Sequence, residues 1–240
     1  MICIFVIAFL FQIRPSLMRN MILLYQLLHI VLLGPLCFGQ HRFQINDISK
    51  KYNAEINVED CVSDGCRGNG WVILSDKNGN IKQTFHSPDL VFYFEQNFKP
   101  SKDIIRITRE MLRDEPLYFG DFNFDGTEDL AVRNGNGGNY GNASYEVYVF
   151  NSTKMQFVPS SELTELASGY QGMFDVDIKN KRLTTFAKSG QSYYTYEYEV
   201  VPKKGIVLVY EKIEDHSHEA VKVTVKKKVN NKWIVKKTTK

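Results

Sequence analysis

Trp71-Val72-Ile73-Leu74-Ser75-Asp76-Lys77-Asn78-Gly79-Asn80-Ile81-Lys82-Gln83-Thr84-Phe85 sets two apolar runs on either side of a short polar turn. Asn-Gly between such runs is a strong hairpin signal, because both residues tolerate the positive φ of a tight reversal. Outward from this hairpin, strand-like segments recur at 90–94, 104–108, 145–150, 174–178, 182–187, 193–201, 205–211, 221–229 and 232–236. Asn180-Lys181, Lys203-Lys204-Gly205 and Asn230-Asn231 read as turns between them. Only 161–167 has helical spacing, with Ser161 as a candidate cap and Leu163 and Leu166 three apart. Many short strands at regular spacing predict a mainly β chain, a sandwich or a barrel.

A second stretch bears on chemistry. Asp121-Phe122-Asn123-Phe124-Asp125-Gly126-Thr127-Glu128-Asp129-Leu130 places side-chain oxygens at loop positions 1, 3, 5 and 9, with glycine at position 6. Calcium is a hard cation that takes six to eight oxygen ligands from a tightly curled chain. Asp121, Asn123, Asp125 and Asp129 supply side-chain oxygens, Thr127 a backbone carbonyl, and Gly126 the sharp turn. The expected ion is therefore calcium. An EF-hand needs glutamate at position 12, and Val132 stands there. Segment 130–132 reads Leu-Ala-Val, so the loop belongs between strands. A propeller would repeat the loop once per blade. It occurs once. No carboxylate is paired with a nucleophile, which favours a structural ion over a catalytic one.

Residues 1–39 hold Arg14 and Arg19, no acidic residue, and apolar runs at 2–11 and 21–33. A basic start, an apolar middle and a small residue before the cut predict a secretory signal. Gly39 then precedes the cut and Gln40 begins the mature chain, with Met18 or Met21 as alternative starts to Met1 and the earlier run a surplus extension. The apolar run is short for a membrane span, and Pro35 and Leu36 disfavour a lipid anchor on Cys37. The mature domain, 40–240, keeps 28 basic and 27 acidic residues. Near-neutral charge on a secreted chain argues against nucleic acid as a partner. Cys61 and Cys66 remain as a close pair, which reads as a disulfide in an oxidising compartment.

The run 134–142, Asn-Gly-Asn-Gly-Gly-Asn-Tyr-Gly-Asn, predicts a long mobile connection or a partner-facing loop. His41, His86, His216 and His218 sit in no nucleophile or zinc signature, and His216-Ser217-His218 reads as a solvated turn. The chain is therefore read as a non-enzyme. Eight lysines in 222–240 alternate with Val223, Val225, Val229, Trp233 and Val235. This pattern predicts an amphipathic hairpin whose basic edge discourages strand pairing. Lys188-Ser189-Gly190-Gln191-Ser192-Tyr193 joins two strands, and its turn is expected to project Ser189 and Tyr193 outward together.

Taken with Asn142-Ala143-Ser144-Tyr145, Val147-Tyr148-Val149-Phe150 and Phe174-Asp175-Val176-Asp177, these features resemble periplasmic lysozyme inhibitors with an internal calcium loop. Some of those serve as immunity proteins against peptidoglycan-cleaving effectors. The resemblance spans about 60–210. It implies a single-domain antiparallel β-sandwich related to the inhibitors of invertebrate-type lysozymes. It also implies that Ser189, Gly190 and Tyr193 form an inhibitory loop that enters the cleft of a lysozyme-like hydrolase. The expected protein is secreted or periplasmic, calcium-bound and inhibitory. The alternative is a calcium-stabilised binding module for a surface glycan or protein without inhibitory action.

Overall fold

The computed structural model describes residues 41–95, 104–201 and 204–240. The leader reading for 1–39 lies outside the described residues. The described residues belong to one compact unit, Gly39–Lys240. Its architecture is mainly β, an antiparallel sandwich built from three sheets.

The first sheet holds β1 (His41–Ile45), β2 (Tyr52–Val62), β3 (Gly65–Asp76), β4 (Ile81–Phe94), β5 (Ile104–Ile107) and β6 (Leu112–Asp114), in the order β5-β1-β2-β3-β4-β6. The expected β3–β4 hairpin is present. Gly79 sits at φ +85, and Asp76 Oδ1 accepts from the amides of Asn78 and Asn80 at 3.0 and 2.9 Å. One pairing departs from antiparallel order, because β5 runs parallel along the edge of β1. The second sheet is β7 (Leu117–Gly120), β8 (Asp129–Arg133), β9 (Tyr145–Asn151) and β10 (Gln156–Pro159). The third is a meander of β11 (Asp175–Asp177), β12 (Arg182–Ser189), β13 (Ser192–Val201), β14 (Gly205–Asp215), β15 (Lys222–Val229) and β16 (Lys232–Thr239).

The second sheet is apolar on both faces. Leu117, Leu130, Val132 and Phe157 pack with Phe43, Leu74, Phe92 and Phe94 of the first sheet. Ala131, Tyr145 and Val147 face Leu183 and Tyr198 of the third sheet, with a helix, α1 (Ser161–Gly169), contributing Leu163, Leu166 and Ala167. All five residues of β8 are buried in consequence. This explains the continuous Leu-Ala-Val run: a strand covered on both faces loses the polar alternation of a half-exposed one. The helix lies where its spacing placed it, but its cap is Ser160, whose side chain accepts from Leu163 N at 3.5 Å. Ser160 has extended φ and ψ, the backbone a cap needs, and Ser161 is already inside the helix.

Cys61 and Cys66 face one another across the β2–β3 pair and are disulfide-bonded, with Cα atoms 4.0 Å apart. Closing so short a loop contributes about 2 kcal/mol by the chain-entropy argument. Two blocked thiols are expected when the native protein is alkylated without reductant and its mass measured. Reduction should lower the denaturation free energy by that same order without unfolding the sandwich.

Candidate metal loop and hairpin site

The loop 121–128 leaves β7 and enters β8, so both of its ends are fixed by the central sheet. Asp121 accepts from the amides of Asp125 and Gly126 at 3.0 and 2.9 Å. Asn123 Oδ1 accepts from Asp125 N at 3.0 Å, and its amide donates to Asp125 Oδ2 at 3.0 Å. Asp125 Oδ1 accepts from the amide and hydroxyl of Thr127 at 2.8 and 2.6 Å. Gly126 at φ +87 makes the reversal. The curl joins Asp121, Asn123, Asp125 and Thr127 in one hydrogen-bonded ring.

Asp129 is placed differently. It is fully buried at the start of β8. Its Oδ2 accepts from Phe122 N at 2.9 Å and Asn123 N at 3.3 Å, and its Oδ1 accepts from Phe150 N of β9 at 2.9 Å. This carboxylate therefore holds the loop's entrance against the neighbouring strand. Burial pushes its pKa up to about 6; three backbone donors pull the other way, and the charge on Asp125 adds to the rise. Asp125 lies below the usual carboxylate range. Burial alone would raise it, but the Thr127 and Asn123 hydrogen bonds outweigh that.

Among the described residues no group of three or more His, Cys, Asp or Glu side chains is gathered to hold a metal. The loop's candidate donors are mixed: carboxylates, the Asn123 amide oxygen and the Thr127 carbonyl. All are hard oxygens, the donor chemistry calcium selects. A carboxylate whose pKa burial has raised is also the electrostatic setting that a nearby divalent cation relieves.

The far end of β8 carries the opposite charge. Arg133 is buried, and its guanidinium donates to Gly135 O at 3.0 Å, to Tyr145 Oη at 3.2 Å and to Asn136 Oδ1. The 134–142 run is consequently not the free connection its composition suggested. Asn134 N donates to Ser144 O, Gly138 N to Asn142 O, and Asn139 N to Tyr170 O. Glycine is required at 138, where a Cβ would meet Tyr170 O at 2.5 Å. The loop ends in a 3-10 turn over Asn139–Gly141, with Tyr140 in the left-handed region at φ 57.

That turn grips the β12–β13 hairpin. Gly190 N donates to Tyr140 Oη and Lys188 N to Asn139 Oδ1, both at 2.9 Å. On the other side His216 N donates to Gln191 O at 3.1 Å, and the His216 ring meets Tyr193 edge-on at 5.3 Å. Lys188 Nζ stands 5.0 Å over the Tyr193 ring. Ser189 and Tyr193 are both exposed at the tip. They do not share a face. The register pairs Ser189 with Ser192 and Lys188 with Tyr193, so strand alternation sends the two side chains to opposite sides. Gly190 at φ +56 makes the two-residue turn that imposes this register.

Asn139, Tyr140 and His216 lie far from 189–193 in sequence, and no local signal tied them to the hairpin. The charged residue closing an apolar run, Arg133, was the available clue to the bracing of 134–142. No protein-family model matches the chain, and no curated protein matches it. One solved structure is similar, described as that of a Xanthomonas Type IV Secretion System related protein. The two align with a TM-score of 0.57 and 19% identity over 78% of this chain and 90% of that one. The likeness is one of fold.

In chelator, the native state holds a proton on Asp129 up to about pH 6, whereas the unfolded chain releases it near 3.9. Native protein thus binds more protons between these values, so the metal-free protein loses stability as pH rises through 6. Melts of wild type and Asp129→Asn from pH 4 to 7 should converge with rising pH by roughly 1–3 kcal/mol. A constant difference between the two would contradict the buried, protonatable carboxylate.

Proposed function

We propose that the protein is an exported, calcium-stabilised, non-enzymatic inhibitor of a lysozyme-like peptidoglycan hydrolase. The observation that carries this reading is the hairpin tip at Gly190, held from both sides and leaving Ser189 and Tyr193 exposed. A tip fixed before binding loses little entropy on insertion into a cleft, which is where preorganised inhibitors gain affinity. The Tyr193 and Ser189 hydroxyls would donate to the acid and base carboxylates of the hydrolase from opposite sides of the tip, since glycoside cleavage uses a carboxyl pair. Lys188, over the Tyr193 ring, adds positive charge suited to an acidic cleft.

Calcium at Asp121, Asn123, Asp125, Thr127 and Asp129 would neutralise the loop's carboxylates and take no part in inhibition. The disulfide fits an oxidising compartment. No helix among the described residues is long and apolar enough to cross a membrane. The similar fold of a secretion-system related protein fits an exported chain.

Clearing of a peptidoglycan suspension by a panel of lysozyme-like hydrolases tests the reading. Wild-type protein should slow at least one enzyme, and Tyr193→Ala should weaken inhibition by about thirtyfold. Tyr140→Phe, which removes only the acceptor for Gly190 N, should cost roughly fivefold. Tyr193→Ala should leave the melting temperature nearly unchanged, whereas Tyr140→Phe, which also removes a hydrogen bond of the free protein, should lower it by roughly 2–4 °C. A panel unaffected by wild type, or undiminished inhibition by Tyr193→Ala, would leave the calcium-stabilised binding module as the better account.

A further inference from the structure

The β15–β16 hairpin takes no part in the site above. Its chemistry is unlike the rest of the chain. Residues 222–240 carry eight lysines and no acidic residue, whereas the other 221 carry 22 basic and 27 acidic residues. Lys226 is tied to Glu211 at 2.8 Å. Lys228, Lys232, Lys236 and Lys237 have no ion pair among the described residues.

The same hairpin leaves large apolar side chains in water. Val229, Trp233, Ile234 and Val235 are 40%, 43%, 57% and 52% exposed. All eight residues of β16 are exposed, and it is the last strand of its sheet. The register puts Trp233 and Val235 on one face, opposite Lys228 and Lys226, and Ile234 on the other, opposite Lys227. Apolar groups therefore project from both sides of a lysine-rich ribbon that ends in the Asn230-Asn231 turn. Both asparagines have positive φ, 50 and 61, the backbone of a tight type I′ reversal.

We propose that this hairpin docks the protein on an anionic lipid bilayer surface. A soluble polyanion would satisfy the lysines but offer nothing to Trp233, Ile234 and Val235. An acidic bilayer takes both: headgroup charge attracts the ammonium groups, and the interfacial zone accepts a tryptophan and short aliphatic side chains. The open backbone edge of β16 restricts the ribbon to the hydrated headgroup region, because unpaired amides are not tolerated in hydrocarbon. Docking at this edge is independent of the inhibitory reading.

Co-sedimentation of the full mature protein with vesicles tests the proposal, comparing phosphatidylcholine alone with phosphatidylcholine and phosphatidylglycerol at about three to one. Binding is expected only to the acidic vesicles and should fall with added salt. Lys232→Gln, Lys236→Gln and Lys237→Gln together should weaken it about a hundredfold. Trp233→Ser with Ile234→Ser should weaken it at least tenfold, with the melting curve unchanged. In a Trp71→Phe background, Trp233 emission should shift to the blue on binding. No sedimentation at low salt would overturn the proposal, as would binding insensitive to the Trp233 and Ile234 changes, or tighter binding to heparin than to vesicles. Self-association abolished by the same substitutions, without vesicle binding, would instead assign the edge to a second copy of the chain.

Discussion

Strand β8 has no face in water, and it is closed by an acid at one end and a base at the other. Asp129 and Arg133 are both buried, and neither forms an ion pair with a side chain among the described residues. Each spends its charge on backbone and amide groups instead. Asp129 takes three main-chain N–H donors, and Arg133 reaches a carbonyl, a phenol and an amide. A buried ion without such partners costs several kcal/mol. The two loops that leave this strand are therefore shaped by it.

The arrangement links two features that stand some sixty residues apart, Asp129 and Gly190. At one end the strand fixes the entrance of the 121–128 loop, at the site proposed for calcium. At the other, Arg133 organises 134–142, whose Asn139 and Tyr140 hold the backbone of the 188–190 turn. The hairpin tip is held by hydrogen bonds from neighbours that are themselves bonded to one another and to a middle sheet packed on both sides. A loop built largely of asparagine and glycine becomes an ordered support in this way, through tertiary hydrogen bonds that its composition does not announce.

Features with local causes were legible from the residues. The β3–β4 hairpin follows from Asn78-Gly79, the helix from the spacing of Leu163 and Leu166, and the curl of 121–128 from its alternating oxygens and Gly126. β2 alternates Ala54, Ile56 and Val58 with Glu55, Asn57 and Glu59, so that strand was legible as well, and the pattern breaks only at the irregularity near Glu59. Features that depend on what covers an element were not. The parallel edge pairing of β5 with β1 is set by tertiary position. The shared projection expected for Ser189 and Tyr193 failed for a simple reason: a two-residue turn fixes the register, and the register fixes the faces. Trp233 illustrates the same limit: alternation predicts one wet and one apolar face for the last hairpin, but the register sets Trp233 and Val235 beside Lys228 and Lys226.

The loop entering β8 is proposed as a calcium site on which the stability of the sandwich depends. Melting the chelator-treated protein with and without added calcium decides whether it does. At one hundred times the dissociation constant, an ion bound only by the native state adds about 2.7 kcal/mol, or roughly 5–10 °C for a chain of this size. Calcium should produce that rise in the wild-type protein and not in Asp125→Ala. Superimposable melting curves with and without calcium would contradict the calcium site.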